Sequence, residues 1–244
     1  WFVDFEFPNE DGEPYKSSGG EMVESELGMI PKGWEVKTIL EMDLIVTDYV
    51  ANGSFKALKE NVTLYEEYNY AIFMRNTDLK CNFNSGMKYV DQHSYDFLKK
   101  SQLFGGEVII SNVGDVGSVY LCPYFDQPMT LGNNVIMVKA ETNQIWNHFV
   151  YRLFNSREGQ GMIDSITGGS AQPKFNKTDF RNLKVVIPSE MFISNYMKTL
   201  SSIEDCILLN DKQNSELIKI RDSLLPKLMS GEIRVPMDEE GEAS

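Results

Sequence analysis

The hydrophobic rhythm of the chain changes at Pro188. Upstream, short apolar runs rich in β-branched and aromatic residues alternate with turn residues. They are YNYAIFM (68–74), EVIISNV (107–113), GSVYLC (117–122), NNVIMVKA (133–140) and NLKVVIP (182–188). Each has the length and punctuation of a β-strand. Two stretches switch to helical spacing. QIWNHFVYRLFNS (144–156) brings Ile145, Phe149, Leu153 and Phe154 near one face, with Gly159 or Gly161 as its expected stop. QHSYDFLKKSQL (92–103) predicts another helix, with Ser94 as its cap. The expectation is an α+β fold: a mixed α/β domain over residues 34–188, built on a short-stranded sheet.

Downstream, Pro188 and Ser189 form a helix entry, and neither Gly nor Pro follows before Pro226. The helix predicted over 189–230 is of coiled-coil type. A seven-residue frame places Ile193, Leu200, Ile207, Asn214, Arg221 and Leu228 at a, and Tyr196, Ile203, Asn210, Leu217 and Leu224 at d. At 1.5 Å per residue its uninterrupted part is about 55 Å long. Such a helix needs a partner to cover its seam. Asn210 and Asn214 would be two polar layers that cost stability and fix register. Pro226 is expected to break or kink the helix and Gly231 to stop it. Residues 231–244 then read as a short strand, EIRV, and an acidic tail.

Residues 1–33 read as a linker, rich in Gly, Pro, Ser and Glu, with Ser17–Gly20 as a flexible point. The net charge of −13 argues against a nucleic-acid partner until its distribution is examined. Residues 1–33 carry −6 and residues 236–244 carry −4, which leaves −3 for the body of the chain. A nearly neutral body can carry a local basic face. Cys81, Cys122 and Cys206 are scattered and odd in number, as in a cytosolic protein with reduced thiols. With His93 and His148 the only histidines, a zinc site is not expected. No apolar run is long enough to span a bilayer.

Catalytic signatures are missing. There is no Walker loop, no dinucleotide fingerprint and no Asn/Asp-Pro-Pro-aromatic element. Gly168–Ser170 lacks the flanks of a nucleophile elbow. The loop NVGDVGS (112–118) could cradle a phosphate, but it lacks the glycine spacing, the Lys-Ser/Thr ending and the following helix, so it reads as a tight turn. In TGGSAQPKFNKTDFRNLKVVIP (167–188), Gly168, Gly169 and Ser170 permit a close turn. Gln172 can bond exposed backbone there, Pro173 stiffens the corner, and Asp179–Phe180 is expected to begin the last strand.

Three separated segments together carry a resemblance. GWEVKTILEM (33–42), GGSAQPKFNKTDFRNLKVVIP (168–188) and RDSLLPKLMSGEIRV (221–235), in this order, resemble the specificity (S) subunit of type I restriction–modification systems. The opening WFVDFEFP, GEPYKSSGG and IPKGWEV resembles the passage from a first long helix into the second recognition domain of such a subunit. The resemblance implies one target-recognition domain plus one long spacer helix, the C-terminal half of a longer chain or a half-length subunit that dimerises. It implies a non-catalytic, cytoplasmic subunit that reads one half of a bipartite site in double-stranded DNA. The helix would pair with the missing N-terminal half or with a second copy. Methyltransferase (M) subunits would bring S-adenosylmethionine, and a restriction (R) subunit ATP and magnesium; no cofactor is expected in this chain, and no membrane.

Within that frame Lys56, Lys59, Arg75, Lys80, Lys88, Lys174 and Lys177 are candidate phosphate anchors. Asn112, Asn133, Asn134 and Gln172 are amides suited to adenine edges. The competing reading is an assembly module, in which the helix mediates oligomerisation and the head binds protein rather than DNA.

Overall fold

Four of the short apolar runs fold as strands of two main sheets, and the last, NLKVVIP, pairs with Glu35–Thr38 in a separate two-stranded sheet. The computed structural model describes residues 1–83, 86–169 and 171–233. Two units cluster separately, Trp1–Glu190 and Met191–Ser244. The first unit runs through β1 (Met22–Ser25), β2 (Gly28–Pro31), β3 (Glu35–Thr38), β4 (Leu44–Asp48), α1 (Phe55–Asn61), β5 (Leu64–Tyr65) and β6 (Ala71–Met74). It continues with α2 (Asn76–Lys80), β7 (Lys88–Val90), α3 (Gln92–Phe97), β8 (Gln102–Leu103), β9 (Val108–Ser111) and β10 (Val119–Leu121). It closes with β11 (Met129–Leu131), β12 (Val135–Ala140), α4 (Ile145–Asn155), α5 (Arg157–Ile166), α6 (Lys177–Arg181) and β13 (Lys184–Ile187).

One sheet has the order β10-β9-β12-β4, all antiparallel; the other has the order β5-β7-β6-β11-β8, with β6 and β11 parallel. Strand β6 explains how they stack. Its four residues are all buried, which requires cover on both faces. Ile72 and Met74 meet Ile109 of β9 and Met137 of β12 in one core cluster. Ala71 and Phe73, on the other face, join Leu58 of α1, Val90 of β7 and Leu98 in a second. Helix α4 is fastened through buried Asn147, which accepts from Ala140 N at 2.7 Å and donates to Gly106 O at 2.9 Å.

Four local expectations differ from the structure. The helix expected over 92–103 ends at Phe97; Asp91 is its cap, accepting from Ser94 N at 2.8 Å, while Ser94 is buried and accepts from Thr63 N at 3.0 Å. Gly159 does not stop α4. The helix ends at Asn155, Ser156 caps α5, and both glycines lie inside α5. A Cβ at Gly159 would lie 2.0 Å from Leu153 O, so close helix packing is what requires glycine there. Asp179 and Phe180 belong to α6, capped by Asn176 (Asp179 N to Oδ1, 2.9 Å), and the last strand begins only at Lys184. Residues 1–33, read as a linker, hold the β1–β2 hairpin, and Phe7 stacks on Trp34 at 5.2 Å and on Tyr15 at 4.6 Å. Aromatic anchors, which a compositional reading passes over, give this segment its order.

The second unit is mainly helix. Helix α7 (Glu190–Met229) extends for 40 residues. It does not end at Pro226, which lies inside it. Ser230 N still reaches Pro226 O at 2.9 Å, and the chain turns at Gly231, where φ is +75°. Ile193 is buried, whereas Ile203, Ile207, Leu217, Leu224 and Leu228 are exposed, as are Asn210 and Asn214. Arg234 and Val235 of the EIRV stretch and the acidic tail lie outside the described residues, as does Ser170.

Candidate nucleic-acid interface

The register of the strands decides which loops meet. Parallel β6 and β11 end side by side: Met74 pairs with Leu131, and Gly132 N donates to Met74 O at 2.7 Å. Strand β12 starts just beyond, with Val135 opposite Ser111 at the end of β9 and Ile136 opposite Asp48 at the end of β4. One rim therefore gathers the ends of β4, β6, β9 and β11. Backbone hydrogen bonds join its loops. Asn112 N donates to Asn134 O at 3.1 Å, Phe175 N to Asn112 O at 3.1 Å, and Gly114 N to Pro173 O at 2.9 Å. Lys174 forms bridges with Val113 and Gly168.

Most of the candidate residues from the sequence reach this rim, in two different conditions. Asn133, Asn134, Gln172 and Lys174 are exposed. Asn134 holds φ at +66°, a left-handed turn conformation that asparagine tolerates better than most residues. Among the described residues the Gln172 side chain has no hydrogen-bond partner; its backbone carbonyl packs against Gly169, where a Cβ would come within 2.6 Å of it. Asn112 is half-buried and donates to Phe175 O at 3.2 Å, which holds two loops together.

Most of the other candidate bases are already matched by acids. Arg75 grips Asp78 with Nε at 2.9 Å and Nη2 at 2.6 Å, and Nη2 also reaches Gly86 O at 2.9 Å. The fork raises the guanidinium's pKa, against the opposing effect of burial. Lys177 pairs with Asp48 at 2.7 Å, both largely buried. Lys88 pairs with Glu66 and holds that carboxylate below its usual range. Lys80 pairs with Asp115 at 3.2 Å. Lys56 and Lys59 lie on α1, whose Leu58 packs on the outer face of β6. Lys56 there faces Glu60 at 3.9 Å, and Lys59 is exposed.

The sequence reading overlooked Asp115, Asn76 and Ser118. Asp115 accepts from all three neighbouring donors, and its pKa is lowered first by Lys80 and then by Ser118. Its position between Gly114 and Gly117 was the available signal. No group of three or more potential metal ligands exists among the described residues, and no described helix is long and apolar enough to cross a membrane.

The sheet-framed rim thus carries exposed amides and a lysine, and a long helix with exposed apolar positions follows in the chain. The chain belongs to the type I restriction modification DNA specificity domain family, whose model matches residues 31–219. It is 23% identical to the HindI specificity subunit of Haemophilus influenzae over 84% of this chain and 42% of that protein. It is 28% identical to the MjaIX specificity subunit of Methanocaldococcus jannaschii over 96% of this chain and 51% of that protein. The chain thus spans about half the length of the curated relatives it matches. Its fold is similar to the crystal structure of the type I restriction–modification S subunit from M. genitalium, with a TM-score of 0.50 and 18% identity, over 81% of this chain and 46% of that one.

Proposed function

We propose that this chain is a non-catalytic DNA-recognition subunit of a type I restriction–modification complex, reading one half of a bipartite target. The observation that carries the reading is the rim where the 112–118, 132–134 and 168–175 loops are joined by backbone hydrogen bonds. Such a frame holds exposed amides in fixed relation, which base-edge recognition requires. The recognition domain spans residues 34–188, and the helix over 189–230 is the spacer. Its exposed positions from Ile203 to Leu228 would pair with a second long helix, from a preceding half or from another copy. Methyltransferase subunits dock on this assembly and a restriction subunit joins it. S-adenosylmethionine, ATP and magnesium belong to those partners, in the cytoplasm.

The test is to map methylated bases in cells carrying the complete system. Replacing residues 132–134 and 171–174 with those of another specificity subunit should change one half of the methylated motif and leave the other half and the spacing intact. An unchanged motif would refute the assignment of the rim. The assembly-only alternative predicts that no duplex is retained at moderate salt; the family's own description as a DNA specificity domain favours DNA.

A further inference from the structure

The Asn112–Ser118 loop has a cradle's composition and lacks a nucleotide-binding loop's spacing. In the fold it presents an anion to three donors. Asp115 Oδ2 lies 3.2 Å from Lys80 Nζ, 3.4 Å from Asn76 Nδ2 and 3.0 Å from Ser118 Oγ. Asn76 and Lys80 are four residues apart on α2 and so share a face; Ser118 comes from the far end of the loop. The orientation of Asn76 is informative. Its donor is aimed at the carboxylate while its own Oδ1 is buried and has no hydrogen-bond partner among the described residues. A buried amide oxygen left unpaired is an unfavourable arrangement, which the anion in front of Nδ2 offsets.

An ammonium, an amide N–H and a hydroxyl meeting on one anionic oxygen also form a donor set for a phosphate oxygen. The site is open: Lys80 is 62% and Asp115 43% exposed at the side chain. Ion pairs this exposed are weak and yield to a competing anion. The site also sits on the rim, since Gly114 N bonds Pro173 O beside Gln172 and Lys174.

We propose that Lys80, Asn76 and Ser118 form a binding site for a DNA-backbone phosphate, and that Asp115 occupies it in the free protein as a tethered stand-in. A duplex must displace the carboxylate before Lys80 can contact its backbone. Duplexes that also satisfy the neighbouring amides are the ones that do so. The device therefore suppresses sequence-independent binding at small cost to the specific complex. This rests on the DNA-recognition reading above.

The experiment measures binding of the full chain, alone and with methyltransferase subunits, to a labelled duplex of arbitrary sequence across a range of salt. Asp115→Asn should tighten binding about three- to tenfold and steepen the log–log salt slope by roughly 0.9, one additional phosphate contact. Adding Lys80→Ala to that variant should abolish the gain. Asp96→Asn, which removes an equal charge from an exposed position on α3, should leave the slope unchanged. The proposal is overturned if Asp115→Asn gains no more than Asp96→Asn, or if its gain survives the loss of Lys80. Failure of every form, wild type included, to retain any duplex at low salt would overturn the DNA-recognition reading as well. Wild-type binding with an inert Asp115→Asn variant would overturn this proposal alone.

Discussion

Arg75 holds Asp78 by two side-chain contacts, and the Asp78 carboxylate is fully buried. Arg75 N donates to the same carboxylate at 2.9 Å, so the pair also fixes the start of α2. Arginine at the end of a strand reads as a phosphate anchor; in the fold its guanidinium is engaged with Asp78 and Gly86 O. Removing one partner strands a buried charge. Arg75→Ala should cost roughly 3 kcal/mol, and with it roughly 6–12 °C of melting temperature. Arg75→Lys should recover only part, since it lacks the fork. Calorimetry or a circular dichroism melt reads this. The salt slope of duplex binding should stay unchanged in Arg75→Ala at temperatures where it remains folded, and fall by roughly 0.9 in Lys174→Ala.

Asn134 offers a cleaner test of sequence reading than any lysine. Its φ of +66° suits glycine better than any other residue. Asn134→Gly therefore deletes the amide without straining the turn, and stability should change by less than about 1 kcal/mol. If Asn134 contacts a base edge, discrimination at one position of the target should drop by about 1–3 kcal/mol. Competition between duplexes that differ at single base pairs measures this. Equal discrimination in wild type and variant would remove Asn134 from the set of readers.

Asp91 ties two elements together. It accepts from Ser94 N at 2.8 Å as the cap of α3 and from Tyr65 Oη at 3.0 Å across to β5. The bond from Ser94 N is the main cause that lowers its pKa. A carboxylate whose folded pKa lies below its ordinary value near 3.9 stabilises the fold fully above about pH 4. That contribution is lost as pH falls through the folded pKa. Asp91→Ala should cost about 1 kcal/mol at neutral pH and much less in strong acid. Urea unfolding of both proteins from neutral to strongly acidic pH should show the two stabilities converging below about pH 4; a constant gap would contradict the role of the ionised cap.

Strands were legible because β9 and β12 sit in sequence as apolar runs between turn residues, and burial followed that pattern. Boundaries decided by tertiary contact were not. Gly159 looks like a stop in sequence, yet it is glycine because Leu153 O leaves no room for a Cβ. The rim was legible only as separate residues. Asn112 and Asn134 could each be named as an amide, but their union depends on β12 pairing with β9. The fate of the bases was the least visible part. Asp78 lay three residues beyond Arg75 in plain sight. The partners of Lys177 and Lys80, Asp48 and Asp115, are distant in sequence and meet them only in the fold.

Helix α7 makes the most direct prediction about assembly. Ile203, Ile207, Leu217 and Leu224 are 50%, 49%, 60% and 41% exposed, at the heptad positions that should carry a seam. Burying a leucine or isoleucine side chain completely is worth about 1.5–3 kcal/mol, so a helix that leaves several uncovered should seek a partner. The chain alone should therefore sediment as a dimer at micromolar concentration, or pair with a separately supplied helix-bearing half. Ile207→Asp with Leu217→Asp should return it to the monomer mass without lowering the melting temperature of the Trp1–Glu190 unit. Asn210→Leu should do the opposite, tightening the association while loosening its register, because a polar seam residue specifies alignment at a cost in affinity. Analytical ultracentrifugation of the three forms separates these outcomes, and a wild-type chain that is monomeric both alone and with every supplied half would show that the seam is not a pairing surface.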